Sequence, residues 1–503
     1  MTAQTTDVLV IGAGFSGIAM GHALLGAGRD DFVILEKAST PGGTWRDNRY
    51  PGCACDVPSH LYSMSFDLNP DWQQAYASQP EIQAYLLGVI ERHGLSPHIQ
   101  TDVRVQHAAW DDHAGHWVVT TTAGTWHARA VFAGTGPLHE PRIPRIEGLD
   151  SFRGRVFHTA RWPEDVDLAG KRVAVVGTGS SAIQLVPHVQ AQAKEMVLFQ
   201  RTPAWVLPKF GRAIGPGQRA AFRTVPGLMR AYRAALFYGL ELVQLAQRRP
   251  GRMRPIQALA HRNLRRQISD PVLRERLTPT FTIGCKRFLL SNDYYPALAA
   301  DNATVTGAVV SATPNGLVDS DGVEHAVDVV VMGTGFKVHN PPIADAVQGR
   351  HGQTLAQAWQ GSPRAYLGTT THGFPNFFLS LGPNTGNGHT SVLTAAEAQA
   401  GYLVATLDVL DARGATAVDV RSEAEDAWND SVQQALSKMV WNAGGCASWY
   451  LDAQGMNRSI YPWSTIDLRR RLKRFRADDY AFRAADGTWT DAQSTAEPAA
   501  LAG

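Results

Sequence analysis

The sequence predicts an α/β protein with two Rossmann-like dinucleotide-binding domains, the second of which carries a helical insertion. Two observations carry this reading. Residues 7–11 read DVLVI and lead into Gly12-Ala13-Gly14-Phe15-Ser16-Gly17 and a helical pattern, and residues 172–176 read RVAVV and lead into Gly177-Thr178-Gly179-Ser180-Ser181-Ala182 and another. A short, unbroken apolar run is what a strand buried on both faces needs, and a glycine turn then delivers the chain into a packed helix. The length of 503 residues agrees, being too great for one core.

Taken in order, the apolar run 32–35 ends in Glu36 and supplies the second strand of the first unit. The runs 130–133 and 327–332 each end in a Gly-Thr-Gly turn, at Gly134 and Gly333, and read as strands leaving their domains. The proline-rich stretch 137–144 reads as a linker. Residues 197–199 give the second strand of the second unit. From 211 to 280 the chain is Arg-rich and helically periodic, with only Glu241, Asp270 and Glu275 as acids. A solvated helical face and a cap over the active site are both open readings of that insertion. The expected divisions are residues 1–140 and 341–503 for the first domain, with 141–210 and 291–340 for the second, interrupted by the insertion at 211–290. The tail after Ala484 is expected to be poorly ordered.

Lys+Arg of 47 against Asp+Glu of 45 leaves a net charge of +2, so nothing in the overall charge points to nucleic acid or to an anionic membrane as partner. No targeting leader is read ahead of the first strand, and a cytoplasmic location is expected. The most apolar helical stretch, 234–246, is interrupted by Glu241 and is shorter than the ~20 residues that span a bilayer. No integral membrane segment is expected, and surface contact stays open. The four cysteines (Cys53, Cys55, Cys285, Cys446) suggest neither a zinc site nor a disulfide framework, and no metal is expected.

The two glycine loops differ in the residue that stands at the end of the next strand. Gly12, Gly14 and Gly17 have the GxGxxG spacing that brings a pyrophosphate onto backbone N–H groups at a helix N-terminus. Glu36 lies 24 residues after Gly12, where a carboxylate accepts from a ribose diol, so the first site suits FAD or NAD. At the same offset from Gly177 stands Arg201, with Thr202 next to it. A guanidinium there clamps a 2′-phosphate that a carboxylate would repel, so the second site prefers NADPH. Gly179, Ser180 and Gln184 are expected to line that second site.

Residues 42–56 read GGTWRDNRYPGCACD. This resembles the GGxWxxxxYPGxxxD fingerprint of type I Baeyer-Villiger monooxygenases, with every fixed position filled. Residues 152–163, FRGRVFHTARWP, resemble that family's FxGxxxHxxxWP fingerprint, also complete at Phe152, Gly154, His158 and Trp162. The related nitrogen- and sulfur-oxygenating flavin monooxygenases usually carry Tyr or Phe where Trp162 stands. The resemblance extends over nearly the whole chain.

It implies FAD and NADPH as cofactors, with Gly43, Thr44 and Trp45 at the flavin and His158 in a linker that couples NADPH use to oxygenation. Ile283-Gly284-Cys285-Lys286-Arg287 is similar to the family's segment that brings an arginine to the flavin, which implies Arg287 as the catalytic arginine, oriented by Asp56. Lys286 becomes a second candidate for the 2′-phosphate. Residues 382–385 (GPNT) are similar to the turn that completes the FAD site, and residues 448–450 (SWY) to a segment whose Trp449 meets the nicotinamide cofactor; a core aromatic is an equal reading of Trp449. The implied reaction uses NADPH and O2 to convert a ketone to an ester or lactone through a C4a-peroxyflavin. An anion in a dry pocket needs a permanently charged partner, and an arginine supplies one. An S- or N-oxygenating monooxygenase, a disulfide-reductase-like enzyme and a non-catalytic redox sensor are the competing readings. The particular ketone and the oligomeric state are left open by the residues themselves.

Overall fold

A computed structural model describes residues 3–339 and 341–491. The Gln4–Ile11 strand is buried along its second half and lies at the centre of an eight-stranded sheet. It runs parallel to Phe32–Leu35 on one side and to Gly124–Ala133 on the other, with Ile11 opposite both Leu35 and Ala133. Two strands that the apolar runs had not announced, Val105–Asp111 and His116–Thr121, add an antiparallel ribbon beyond Gly124–Ala133. Phe377–Leu379 returns from late in the chain to pair with Gly124–Ala133.

The second sheet has five strands, all parallel: Ala303–Thr306, Glu195–Phe199, Arg172–Val176, Val329–Met332 and Arg155–His158 in spatial order. A meander of three short strands, Val309–Thr313, Gly316–Asp319 and Glu324–Ala326, lies between its last two chain segments. The two sheets share one construction. Gly12 adopts φ +97° and its N–H donates to Leu35 O; Gly177 adopts φ +116° and donates to Phe199 O. A side chain at Gly12 would meet Gly134 O at 2.9 Å, and one at Gly177 would meet Gly333 O at 2.4 Å. The Gly-Thr-Gly turns read as domain exits are therefore also the walls against which the glycine loops turn.

Between the parallel pair Val206–Leu207 and Leu289–Leu290 stand the helices Pro216–Thr224, Leu228–Gln247, Arg254–Gln267 and Pro271–Arg276. The longest of them has a solvated side, and that side is apolar. Its buried residues are Glu241, Gln244 and Gln247, while Tyr238, Leu242 and Leu245 face outward. Glu241 accepts from His389 Nε2 at 3.0 Å and from the Thr465 N–H, and Gln244 Nε2 donates to Pro462 O at 2.7 Å. Arg233 donates to three carbonyls, His60, Leu61 and Ser63, at 2.9–3.0 Å. The helix is thus fastened inward by polar bonds, which satisfy groups that would otherwise be costly to bury.

The expected disordered tail is in part ordered: Trp489–Asp491 pairs with Tyr480–Arg483, which pairs with Ala417–Val420. The remainder of that expectation lies outside the described residues. Among the described residues, no helix is long and apolar enough to cross a membrane.

Candidate active site

In the first glycine loop a side chain at Gly17 would stand 1.9 Å from Gly12 O, so only hydrogen fits between helix and turn. In front of Gly14 the nearest atom is the Cα of Gly43, at 3.7 Å. Gly14 is the N-cap of the Phe15–Gly26 helix and Gly43, at φ +54°, that of the short turn Thr44–Asp47. Two side-chain-free backbones thus face each other across the helix N-terminus, a cradle that fits a dinucleotide pyrophosphate. Trp45 is buried and its Nε1 donates to Tyr62 Oη at 2.9 Å.

Glu36 is buried beside this cradle. Its Oε2 accepts from the Ala13 N–H and its Oε1 from the Ala38 N–H, each at 3.0 Å, and Arg46 Nη1 lies 2.8 Å from Oε1. A carboxylate has about four lone-pair sites, so Oε2 keeps one for a ribose hydroxyl. Arg46, which sequence reasoning missed because it occupies a variable position of the fingerprint, holds the charge of Glu36 in place.

In the second loop, Gly179 caps the Ser180–Gln192 helix, and a side chain there would meet nothing within 4 Å. The space over its backbone N–H groups is open. Arg201 is exposed, and Thr178 Oγ1 donates to the Thr202 carbonyl at 2.7 Å. Burial lowers the Lys286 ammonium below its usual range, and the nearby Arg201 guanidinium lowers it further. Among the described residues no carboxylate pairs with either cation. Two neighbouring cations without a carboxylate partner form a site that suits an anion, which fits a 2′-phosphate. Gln184, expected to line this cofactor, is engaged otherwise: its Oε1 accepts from Tyr50 Oη at 2.9 Å and its Nε2 donates to Ala54 O at 2.9 Å. It ties the second domain's first helix to the fingerprint loop of the first.

Arg287 and Asp56, 231 residues apart in sequence, form a bidentate pair: Nε to Oδ2 at 2.6 Å and Nη2 to Oδ1 at 2.9 Å. Both are largely enclosed by protein, yet 30% of each side chain remains accessible. Asp56 raises the Arg287 guanidinium far above its usual range, outweighing burial. Burial pushes the Asp56 carboxyl up, and Arg287 more than offsets this, holding it below the carboxylate range. The ring of Tyr450, buried at the C-terminal side, stands close to Arg287, and burial pushes its hydroxyl up to about 12.

Here the structure overturns the expectation for the cysteines. Cys285 and Cys446 are joined by a disulfide across 161 residues, bracing the Arg287 segment against the segment that carries Trp449 and Tyr450. A backbone bond from the Thr282 N–H to Gly444 O supports the same junction. Neither spacing nor composition announced it, because four cysteines allow three connectivities and many unpaired arrangements. Cys53 and Cys55 are free and buried, and burial raises the Cys53 thiol to about 12, so neither is a nucleophile at neutral pH. Trp449 is 48% exposed, which removes the core reading; its carbonyl accepts from His339 Nε2 at 2.7 Å.

The second fingerprint forms the edge of the second sheet. Gly154 is required there, since a side chain would meet Asp328 O at 2.4 Å and the ring of Phe152. Phe157 and Trp162 pack edge to face at 5.0 Å. His158 ends the Arg155–His158 strand opposite Met332, its Nδ1 accepting from the Ala160 N–H at 3.1 Å, while the ring lies close to the Gly335 backbone. Burial lowers its pKa from 6.5 to about 4. The folded chain therefore keeps the ring neutral where the unfolded chain protonates it. The stabilisation is complete above pH 6.5 and is lost as pH falls toward 4, by at most about 3 kcal/mol. Thermal midpoints measured from pH 7 to 4 are expected to fall less steeply for His158→Gln than for the parent.

Fold and loops together define an oxidoreductase built around two dinucleotide sites, and residues 9–224 match the family described as pyridine nucleotide-disulphide oxidoreductase. The chain is 47% identical to a Baeyer-Villiger monooxygenase of Streptomyces coelicolor over 94% of its length and 92% of that protein. It is 44% identical to one of Pseudomonas aeruginosa, over 95% and 92%. Among solved structures, NADP+-bound cyclohexanone monooxygenase of Rhodococcus sp. Phi1 superposes with a TM-score of 0.83 at 29% identity, covering 96% of this chain and all of that one. OTEMO in complex with FAD and NADP gives 0.82 at 26%, covering 94% and 98%. The chain belongs to the Baeyer-Villiger monooxygenase family. The reading of the two fingerprints is borne out: this is an FAD-dependent flavoprotein monooxygenase that draws on NADPH.

Proposed function

We propose that Arg287, held by Asp56, is the group that makes the ketone oxidation work, and that its substrate is a ketone converted to an ester or lactone with O2. The observation that carries this is the bidentate, partly accessible Arg287–Asp56 pair, which joins the fingerprint loop to the Arg287 segment. FAD, when bound, supplies hydride acceptance and oxygen activation. The chain supplies the electrostatics. A guanidinium that cannot lose its proton stabilises negative charge developing on the substrate's carbonyl oxygen, and Asp56 fixes its plane so that no reorganisation is needed. Tyr450, buried beside Arg287, and the disulfide-braced segment would help to keep water from the reacting groups.

In this reading Gly12, Gly14, Gly17, Glu36, Gly43, Thr44 and Trp45 hold FAD; Gly177, Gly179, Ser180, Arg201, Thr202 and Lys286 hold NADPH; and Trp449 lies over the nicotinamide. Gln184 holds the fingerprint loop to the NADPH domain, and Phe152, Gly154, His158 and Trp162 form the coupling edge. The chain divides near residues 140 and 340, where the strands change sheet, and acts in the cytoplasm. The direct test is incubation of the yellow holoenzyme with NADPH, O2 and a panel of cyclic, linear and aryl ketones and sulfides, with products identified by mass. Esters or lactones are expected; sulfoxides alone would refute the assignment. Arg201→Ala is expected to raise KM for NADPH about 10- to 100-fold while leaving NADH use nearly unchanged, since one charge-assisted bond is worth about 1.5–3 kcal/mol. Equal losses with both cofactors in steady-state kinetics would remove Arg201 from the 2′-phosphate site.

A further inference from the structure

The Leu228–Gln247 helix packs Phe237 and Leu240 against the core and is apolar on its outward side as well. Tyr238 is 60% and Leu242 66% exposed, and Leu228, Tyr232 and Leu245 share the same outward arc. Small residues fill the rest of that arc, and from Tyr232 to Leu245 none of the helix's exposed residues is charged. At 1.5 Å per residue the apolar face is about 26 Å long. The acid of the helix, Glu241, is turned inward and bound to His389 and Thr465, so the orientation is fixed by buried bonds. A contiguous exposed apolar face on this scale marks a docking surface.

The charge around it identifies the occupant. Between residues 211 and 280 the sequence holds fourteen arginines, no lysine and three acids, a local excess of +11 in a chain whose net charge is +2. Arg230 stands near one end of the face, and Arg248, Arg249, Arg252 and Arg254 near the other; among the described residues none of these five pairs with a carboxylate. A second copy of the helix would bring arginines against arginines in either orientation. An apolar face with a basic rim complements a lipid surface with anionic headgroups, into which such a helix lies in plane without spanning. We propose that this helix docks the enzyme onto anionic membrane surfaces. Because its inner side is anchored by Arg233 to the loop 60–63, docking would carry the whole enzyme rather than a detached lid.

The test is vesicle flotation of the FAD-loaded enzyme with phosphatidylcholine alone and with about one third phosphatidylglycerol. Flotation with the anionic vesicles is expected to exceed that with neutral ones by about tenfold and to weaken with added salt. Tyr238→Glu and Leu242→Glu should each abolish it while retaining bound flavin and product formation, which shows that they fold. No flotation with anionic vesicles, equal flotation with neutral ones, or unchanged flotation of both variants would overturn the proposal. So would a concentration-dependent dimer in light scattering that both variants dissolve, since a second copy would then cover the face.

Discussion

Arg287→Ala is expected to bind FAD, to oxidise NADPH and to form no detectable ester. Removing a preorganised charged donor costs about 10²–10³ in rate where it serves one developing charge. Here the same guanidinium is the only cation bonded to Asp56 among the described residues, so the loss should lie at or beyond the upper end of that range. NADPH oxidation should persist, because the second glycine loop and the Arg201–Lys286 pair do not depend on Arg287. Oxygen consumption would then appear as hydrogen peroxide instead of product. The substitution also strands the Asp56 carboxylate, and removing one member of a buried pair destabilises by about 3–5 kcal/mol. The Arg287→Ala, Asp56→Asn double variant separates the two effects: it should recover stability without recovering ester formation. Ketone turnover near the parent rate in either variant would remove Arg287 from the reaction.

Gly17→Ala is expected to yield a protein without flavin. The added methyl would stand 1.9 Å from the Gly12 carbonyl, a backbone atom that cannot swing aside, so strand, turn and helix must separate. Overpacking of this kind costs more than about 3 kcal/mol and falls on the cradle itself. Gly179→Ala is the informative partner. Its methyl meets no protein atom within 4 Å, so the fold and the bound flavin should survive, while the methyl occupies the space over the second helix N-terminus. The ratio of flavin absorbance to protein absorbance should collapse for the first variant and hold for the second. The second should instead show a raised KM for NADPH. Retained flavin in Gly17→Ala would show that the loop relaxes more than its geometry allows.

The two dinucleotide units were legible in the sequence because their determinants are local. A continuous apolar strand, a glycine at positive φ and a helix fall within about twenty residues, and the residue 24 positions on is set by the length of one helix and one strand. Glu36 and Arg201 could therefore be assigned different partners without coordinates. The reading of the fingerprints rested on a resemblance, and the comparisons with known proteins agree with it. What sequence could not supply were contacts between distant segments. The Arg287–Asp56 bond and the Cys285–Cys446 bridge join residues 231 and 161 positions apart, and no periodicity encodes which loops meet.

The Leu228–Gln247 helix shows the same division. Its periodicity announces a helix, while apolar residues stand on both its inner and its outer side. Which side faces the protein is decided by His389, Thr465 and Pro462, which reach the helix from the far end of the chain and satisfy Glu241 and Gln244. The sequence by itself determined the α/β class, the two cofactor loops and their unequal charge, because backbone conformation and strand burial are fixed by neighbours in the chain. Tertiary structure alone decided the Arg287–Asp56 pair, the disulfide and the outward apolar face, because desolvation and hydrogen-bond satisfaction depend on whatever the fold brings alongside.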